Sequence, residues 1–331
     1  MNTPVRKPDF FVVGGSRCGT TSLHHALTHH PGIYVPPDKS PNYFTAEDMA
    51  DYPGSAAMAA MKGHSVTTEA EYQALFTPAR DGQLLGEVSP VYLQSIHTAG
   101  RMAQYSPTAR IMAILRDPVD RAFAHYVGRR RDGLEARSRF EETIAGELAD
   151  PRHRPVAFNC YLAIGRYAHF LQPFYNAFPA ERIKLLFFDD LVRDPVAVLQ
   201  DLFGFLGVEP LGDRLPLEQK NRGGIIRNPL LRAVWTRTAL LRAGLRRHLP
   251  GAIRDSIGKL FLSDMQRPTL DPALRDELRG YFADDLRELE ILSGRPLDGW
   301  RQPAQSGRPG GNLPVSSSRS TPSGEHPPCA S

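Results

Sequence analysis

This 331-residue chain predicts a three-layer α/β fold: a central parallel sheet flanked by helices, followed by a helical C-terminal region. Three observations carry the prediction. Short, continuous apolar runs recur along the first two thirds of the chain. Helical patterns separate them. The first run ends in a glycine turn that opens directly into a helix. Continuous apolar runs suit strands buried on both faces, and strands alternating with helices build parallel sheets with right-handed connections.

The strands are expected at residues 10–13, 83–87, 111–115 and 183–188, each an apolar run bounded by turn residues. Helical patterns fill the gaps, at 20–30, 96–104, 119–130, 140–147, 167–178 and 195–206. Beyond about Asn221 the pattern is helical throughout, over 230–248, 253–261 and 271–292. Gly294, Pro296 and Trp300 close a single domain spanning 1–300. Residues 301–331 are rich in Pro, Gly, Ser and Arg and poor in apolar residues, a composition expected to be disordered. No internal repeat is visible.

The segment FFVVGGSRCGTTSLHHALTHHP carries the first chemical signal. Gly14 and Gly19 have the spacing of a phosphate-binding P-loop, G-x-x-x-x-G-K-[ST], but Thr20 stands where its lysine belongs. A glycine turn entering a helix aims free backbone N–H groups at an anion, and the helix dipole adds to the attraction. Thr20, Thr21 and Ser22 add hydroxyls, and Arg17 is the nearest cation. Without that lysine, and with the 111–115 strand ending in Arg116 rather than an aspartate, a Mg²⁺-triphosphate user is disfavoured. A bare strand–helix turn with no ligand is the bland alternative.

Composition narrows the field further. Hydrophobic residues make up 41%, enough for a sizeable core, and the net charge of +4 is too weak to argue for nucleic acid. It suits an anionic small ligand. Three widely spaced cysteines suggest neither a disulfide framework nor a zinc site. The N-terminus has no apolar run long enough for a signal peptide or anchor, so a soluble cytoplasmic protein is expected.

Several motifs together resemble sulfotransferases that use 3′-phosphoadenosine 5′-phosphosulfate (PAPS). GGSRCGTTSL is similar to the 5′-phosphosulfate loop of that family, and RDPVDRAFAHY (116–126) to its 3′-phosphate motif, R-x-P-x-x-R-A-x-S-x-Y. GEVSPVYL (86–93) resembles the stretch carrying the catalytic glutamate in heparan-type and related carbohydrate sulfotransferases. DKSPNYF (38–44) is similar to their lysine-bearing K-E-x-x-F-F segment. IGRYAHFLQPF and the helix at 195–206 with its GVEP tail follow in family order.

The resemblance implies a P-loop-type fold, PAPS as donor, no metal, and a set of site residues. Gly15, Ser16, Arg17, Cys18, Gly19, Thr20, Thr21 and Ser22 would hold the 5′ side of the donor. Arg116, at a strand's carboxyl end, would hold the 3′-phosphate with its planar fork. The family's serine in that motif is Ala124 here, so one hydroxyl contact is lost. Glu87 is implied as general base, Arg17 as electrostatic partner of the leaving group, and Lys39 as a second cation there, with Ser40 replacing the usual glutamate beside it. Lys220, Arg222 and Gly223, in EQKNRGGIIR, are candidates for a loop closing over the nucleotide. A carbohydrate, glycolipid or small-metabolite hydroxyl is the implied acceptor, with an amine as alternative. A kinase and a non-catalytic 3′,5′-ADP-binding module are the competing classes.

Other features are discounted. His24, His25, His29 and His30 crowd one helix without an H-E-x-x-H pattern and read as a surface cluster. Cys18 reads as a small loop filler despite its helix-start position. The basic amphipathic pattern at 230–248 reads as core stripe plus solvated arginines rather than a membrane-surface helix. Oligomeric state is not readable.

Overall fold

The computed structural model describes residues 6–52, 65–151, 154, 156–211, 225–226, 265–266 and 268–301. A five-stranded parallel sheet forms its centre: β1 (Phe10–Gly14), β2 (Ile33–Tyr34), β3 (Leu84–Val88), β4 (Arg110–Leu115) and β5 (Ile183–Phe187), in the order β2-β3-β1-β4-β5. The four expected strands are present to within about a residue at each end. The edge strand β2 was not expected; two residues are too few to make a pattern.

Alternation along β1 builds two cores, as side chains on a strand point to opposite faces. Phe10 and Val12 join Met112 and Ile114 on one face, with Leu23, Ala26 and Leu27 of α1 (Thr20–Thr28) and Leu199, Leu202 and Phe203 of a helix at Pro195–Leu206. Phe11 and Val13 join Ile111, Ala113 and Leu115 on the other. α2 (Ala46–Asp51) buries Met49 in a small separate cluster with Phe158, and the second face is covered by α3 (Glu69–Ala74), α4 (Thr98–Tyr105), α5 (Pro118–Arg131), α6 (Phe140–Ala149) and α7 (Tyr167–Ala177). α8 (Phe188–Arg193) leaves β5 directly, α9 is Pro195–Leu206, and α10 (Pro272–Ser293) packs on α7 and α5 before the short α11 (Asp298–Arg301).

Helix starts are set by side chains. Asp117 accepts the N–H groups of Val119 and Asp120 with Pro118 in the first turn, and Asp271 does the same for Ala273 and Leu274. α10 is tied to α7 by Asp285, whose carboxylate accepts from Ala168 and His169.

One expectation is corrected. The stretch after Asn221 is not purely helical: β6 (Ile225–Ile226) pairs antiparallel with β7 (Met265–Gln266). The helices expected at 230–248 and 253–261, the loop residues Lys220, Arg222 and Gly223, and all of the tail after Arg301 lie outside the described residues.

Candidate active site

The chain turns back at β1: β2 and β3 lie on one side of it, β4 and β5 on the other. In an open parallel sheet, ligands bind in the crevice outside the strands' carboxyl ends where the order reverses. The loop after β1 and Arg116 after β4 meet at that crevice.

The loop is built for close approach. Gly19 takes φ 99°, a left-handed conformation that favours glycine, and Arg17 adopts φ 68°. Gly15 N–H donates to Ile114 carbonyl at 2.6 Å, anchoring the loop's start to β4. Ser16 Oγ accepts from Gln94 Nε2 at 2.6 Å. α1 starts at Thr20; Ser22 N–H donates to Gly19 carbonyl at 2.9 Å, and the N–H groups of Thr20 and Thr21 precede the intrahelical ladder. Beneath the loop, the fully buried Cys18 lies 3.6 Å from Tyr167 hydroxyl, which donates to Arg116 carbonyl at 2.9 Å. Burial raises the Cys18 thiol pKa, outweighing the nearby arginines. Cys18 is therefore packing that ties loop, α7 and Arg116 together.

A lysine from elsewhere in the chain reaches the start of α1. Lys39 Nζ donates to Thr20 Oγ1 at 2.8 Å and to Thr21 Oγ1 at 3.3 Å. Burial, and then the charge of Arg17, lowers its pKa from 10.5 to about 8. Arg17 leans the other way, onto α5. A Cβ added to Gly128 would sit 2.5 Å from the Arg17 guanidinium, so only glycine admits this contact. Asp132 lies 4.0 Å from Arg17.

Arg116 stacks over the Phe188 ring, 4.9 Å from its centroid, and Phe188 packs against Gly19. Phe188, the last residue of the strand expected at 183–188, instead begins α8 and gives this flank an aromatic face beside the loop. Ala124 stands on α5, one turn past Asp120.

Glu87 is buried near the end of β3. In the pairing of β1 with β3 it is level with Phe11, and it is 1% exposed. Its carboxylate accepts from Tyr72 hydroxyl and Ser89 Oγ, both at 2.5 Å. Burial raises its pKa to about 7 despite these donors. Ser89 Oγ accepts the Asn42 N–H, and Ser40 N–H donates to Val88 carbonyl. Glu87 thus underpins the segment that carries Lys39.

The histidines of α1 are used structurally. Gly32 N–H donates to His30 Nδ1, so His30 Nε2 donates to Glu209 carbonyl at 2.8 Å. His25 and His29 pack ring on ring. Among the described residues, no group of three or more His, Cys, Asp or Glu could hold a metal ion.

Comparison with known proteins decides the family. The profile of the sulfotransferase family matches residues 8–213. The chain belongs to the sulfotransferase family. This sulfotransferase is 28% identical over 311 residues to the mouse bifunctional heparan sulfate N-deacetylase/N-sulfotransferase 4, covering 91% of this chain and 32% of that protein. The human bifunctional heparan sulfate N-deacetylase/N-sulfotransferase 3 is 28% identical over 313 residues, with 92% and 32% covered. The chain therefore spans about a third of the length of these relatives. A sulfotransferase crystal structure from Alicyclobacillus acidocaldarius superposes with a TM-score of 0.68 at 31% identity, over 90% of this chain and 100% of that one. Among the described residues, no helix is long and apolar enough to cross a membrane.

Proposed function

We propose that this sulfotransferase moves the sulfuryl group of PAPS to a hydroxyl or amine of a carbohydrate. The observation that carries the reading is the crevice itself: two cation-bearing ends, the loop with Lys39 at one and Arg116 at the other, with the Phe188 ring between them. That spacing of charge around an aromatic face suits a nucleotide with an anion at both its 5′ and 3′ sides. The heparan sulfate enzymes among the relatives support a carbohydrate acceptor.

In this reading the acceptor's oxygen or nitrogen attacks sulfur in line as the sulfur–oxygen bond to the 5′-phosphate breaks. The products are the sulfated acceptor, 3′,5′-ADP and a proton. Charge grows on the leaving phosphate oxygen, where Lys39 and the loop N–H groups stabilise it. Arg17 stays charged and contributes electrostatically. Base catalysis by Glu87, which its motif implies, would use a carboxylate already accepting from Tyr72 and Ser89 and 1% exposed. We instead assign Glu87 to positioning: it holds the 38–44 segment, and Lys39 with it.

The test is incubation of the chain with sulfur-labelled PAPS and a panel of glycans bearing free hydroxyl and amino groups. Expected is label in a glycan with one 3′,5′-ADP released per sulfate. Binding of 3′,5′-ADP with no transfer to any glycan overturns the reading in favour of a binding module. In the same assay Glu87→Gln is expected to lower kcat less than about 30-fold and to weaken nucleotide binding; a loss beyond about 10³-fold in kcat alone restores the base role.

A further inference from the structure

The chain that follows α10 folds back onto α8. Gly294 ends α10 at φ 63°, and α11 begins at Asp298. Two side chains of this segment grip the start of α8. Trp300, 5% exposed, donates its Nε1–H to Asp189 Oδ2 at 3.0 Å. Arg295 donates to both oxygens of Asp190, at 3.1 Å to Oδ1, and its guanidinium lies 4.1 Å from the centroid of the Phe187 ring. The hydrogen bonds from Arg295 hold the Asp190 carboxyl below the usual carboxylate range. Glu290 of α10 fixes the segment itself, accepting from Leu297 N–H at 2.7 Å and from Arg301.

The residue between these anchors is Phe188, with Phe187 on one side of it in sequence and Asp189 and Asp190 on the other. Its ring carries the Arg116 guanidinium at 4.9 Å. Trp300 also approaches Tyr167, with 6.4 Å between ring centroids, and the Tyr167 hydroxyl donates to Arg116 carbonyl at 2.9 Å. The segment after α10 therefore reaches Arg116 by two routes, its guanidinium through α8 and its backbone through Tyr167. A long, freely rotating side chain loses rotamer freedom when it binds a ligand. An arginine already stacked on a fixed ring loses less, so its grip on an anion is tighter.

We infer that Arg295 and Trp300 are positioning residues for the donor: through Asp190 and Asp189 they fix α8, and with it the Phe188 ring that presets Arg116 for the nucleotide's 3′-phosphate. This rests on the proposed use of PAPS and adds to it two residues far in sequence from both phosphate motifs. Loosening α8 then weakens the hold on the 3′-phosphate more than the hold on the 5′ side, where the loop and Lys39 act.

Isothermal titration of the full chain with 3′,5′-ADP and with 5′-AMP, which lacks the 3′-phosphate, tests the assignment. The wild type is expected to prefer 3′,5′-ADP by at least about tenfold. In Arg295→Gln and Trp300→Phe that preference is expected to fall about 3- to 10-fold, with 5′-AMP affinity changed less than about twofold. Arg295→Lys, which keeps the charge, is expected to lie between Arg295→Gln and the wild type. Arg295→Gln carries the test should Trp300→Phe fail to fold. Both ligands weakened equally, or a preference equal to the wild type's, overturns the inference and leaves the two residues a structural role only. Hydrogen exchange in the nucleotide-free chain reads the first link without any donor. Arg295→Gln is expected to speed exchange at least about fivefold over 188–194 and to leave 69–74 unchanged; unaltered exchange over 188–194 also overturns the inference. A wild type with no preference for 3′,5′-ADP counts against the donor reading, and the exchange result still decides whether Arg295 fixes α8.

Discussion

Lys39 reaches the start of α1 from a distant segment of the chain. Its ammonium meets the hydroxyls of Thr20 and Thr21 from nineteen and eighteen residues away. With burial holding its pKa near 8, it is charged at neutral pH and loses its charge as pH rises through about 8. Binding of 3′,5′-ADP to the wild type should therefore weaken above pH 8, by up to about tenfold per pH unit. Lys39→Arg should bind without that limb, since arginine stays charged. Titration calorimetry from pH 6.5 to 10 checks this; an identical limb in both proteins would assign it to another group. Glu87 has the opposite sign of effect. Its folded pKa of about 7 exceeds its ordinary 4.5, so its contribution to stability is fullest below about 4.5 and is lost as pH rises through 7. The displacement corresponds to about 3 kcal/mol. The stability difference between wild type and Glu87→Gln, from urea unfolding, should therefore shift against the wild type by up to about that much between pH 5 and 8. A difference that does not change with pH would contradict the burial argument.

At the scale of elements, the long helices and central strands were legible because each has enough residues to express a period. Six-residue helices were not. α2, α3 and α8 are held by particular contacts: α2 by Asp48, which binds His97 and Arg101, and α3 by the Thr68–Glu71 capping box. A helix this short does not form on propensity alone. The site was partly legible for the same reason. Loop and Arg116 follow strands and carry local motifs. The direction of Glu87 and the stacking of Phe188 depend on register and on which helix covers which face. Arg121 and Arg129 recur at helical spacing in RDPVDRAFAHYVGRRR; what no spacing reveals is that Arg121 Nε and Nη1 and Arg129 Nε are buried without a partner. The junction of α7 and α10 gives a test at this scale. Asp285→Ala strips two backbone N–H groups of their acceptor, at positions 168 and 169. A loss of about 2–4 kcal/mol in unfolding free energy is expected, with Asp285→Asn intermediate. Equal stability of Asp285→Ala and wild type would show that α10 is docked by its apolar face, Leu278, Phe282 and Leu289, alone.

For the molecule as a whole, the reversal of strand order at β1 determines where the crevice lies. It brings the loop, the Lys39 segment and Arg116 to one edge of the sheet, while α1 and α9 on one face and α5, α7 and α10 on the other hold that edge rigid. In the proposed reading, the loop with Lys39 and the Arg116 end take a donor with a phosphate on its ribose and a single anionic arm at its 5′ end, in contrast to a metal-bound triphosphate. Isothermal titration of the purified chain with 3′,5′-ADP and, separately, with Mg²⁺-ATP tests that description most directly. Saturable binding of 3′,5′-ADP without magnesium, weakened at least about tenfold by Arg116→Ala and by Lys39→Ala, is the predicted result. Uptake of Mg²⁺-ATP with no response to 3′,5′-ADP would contradict it.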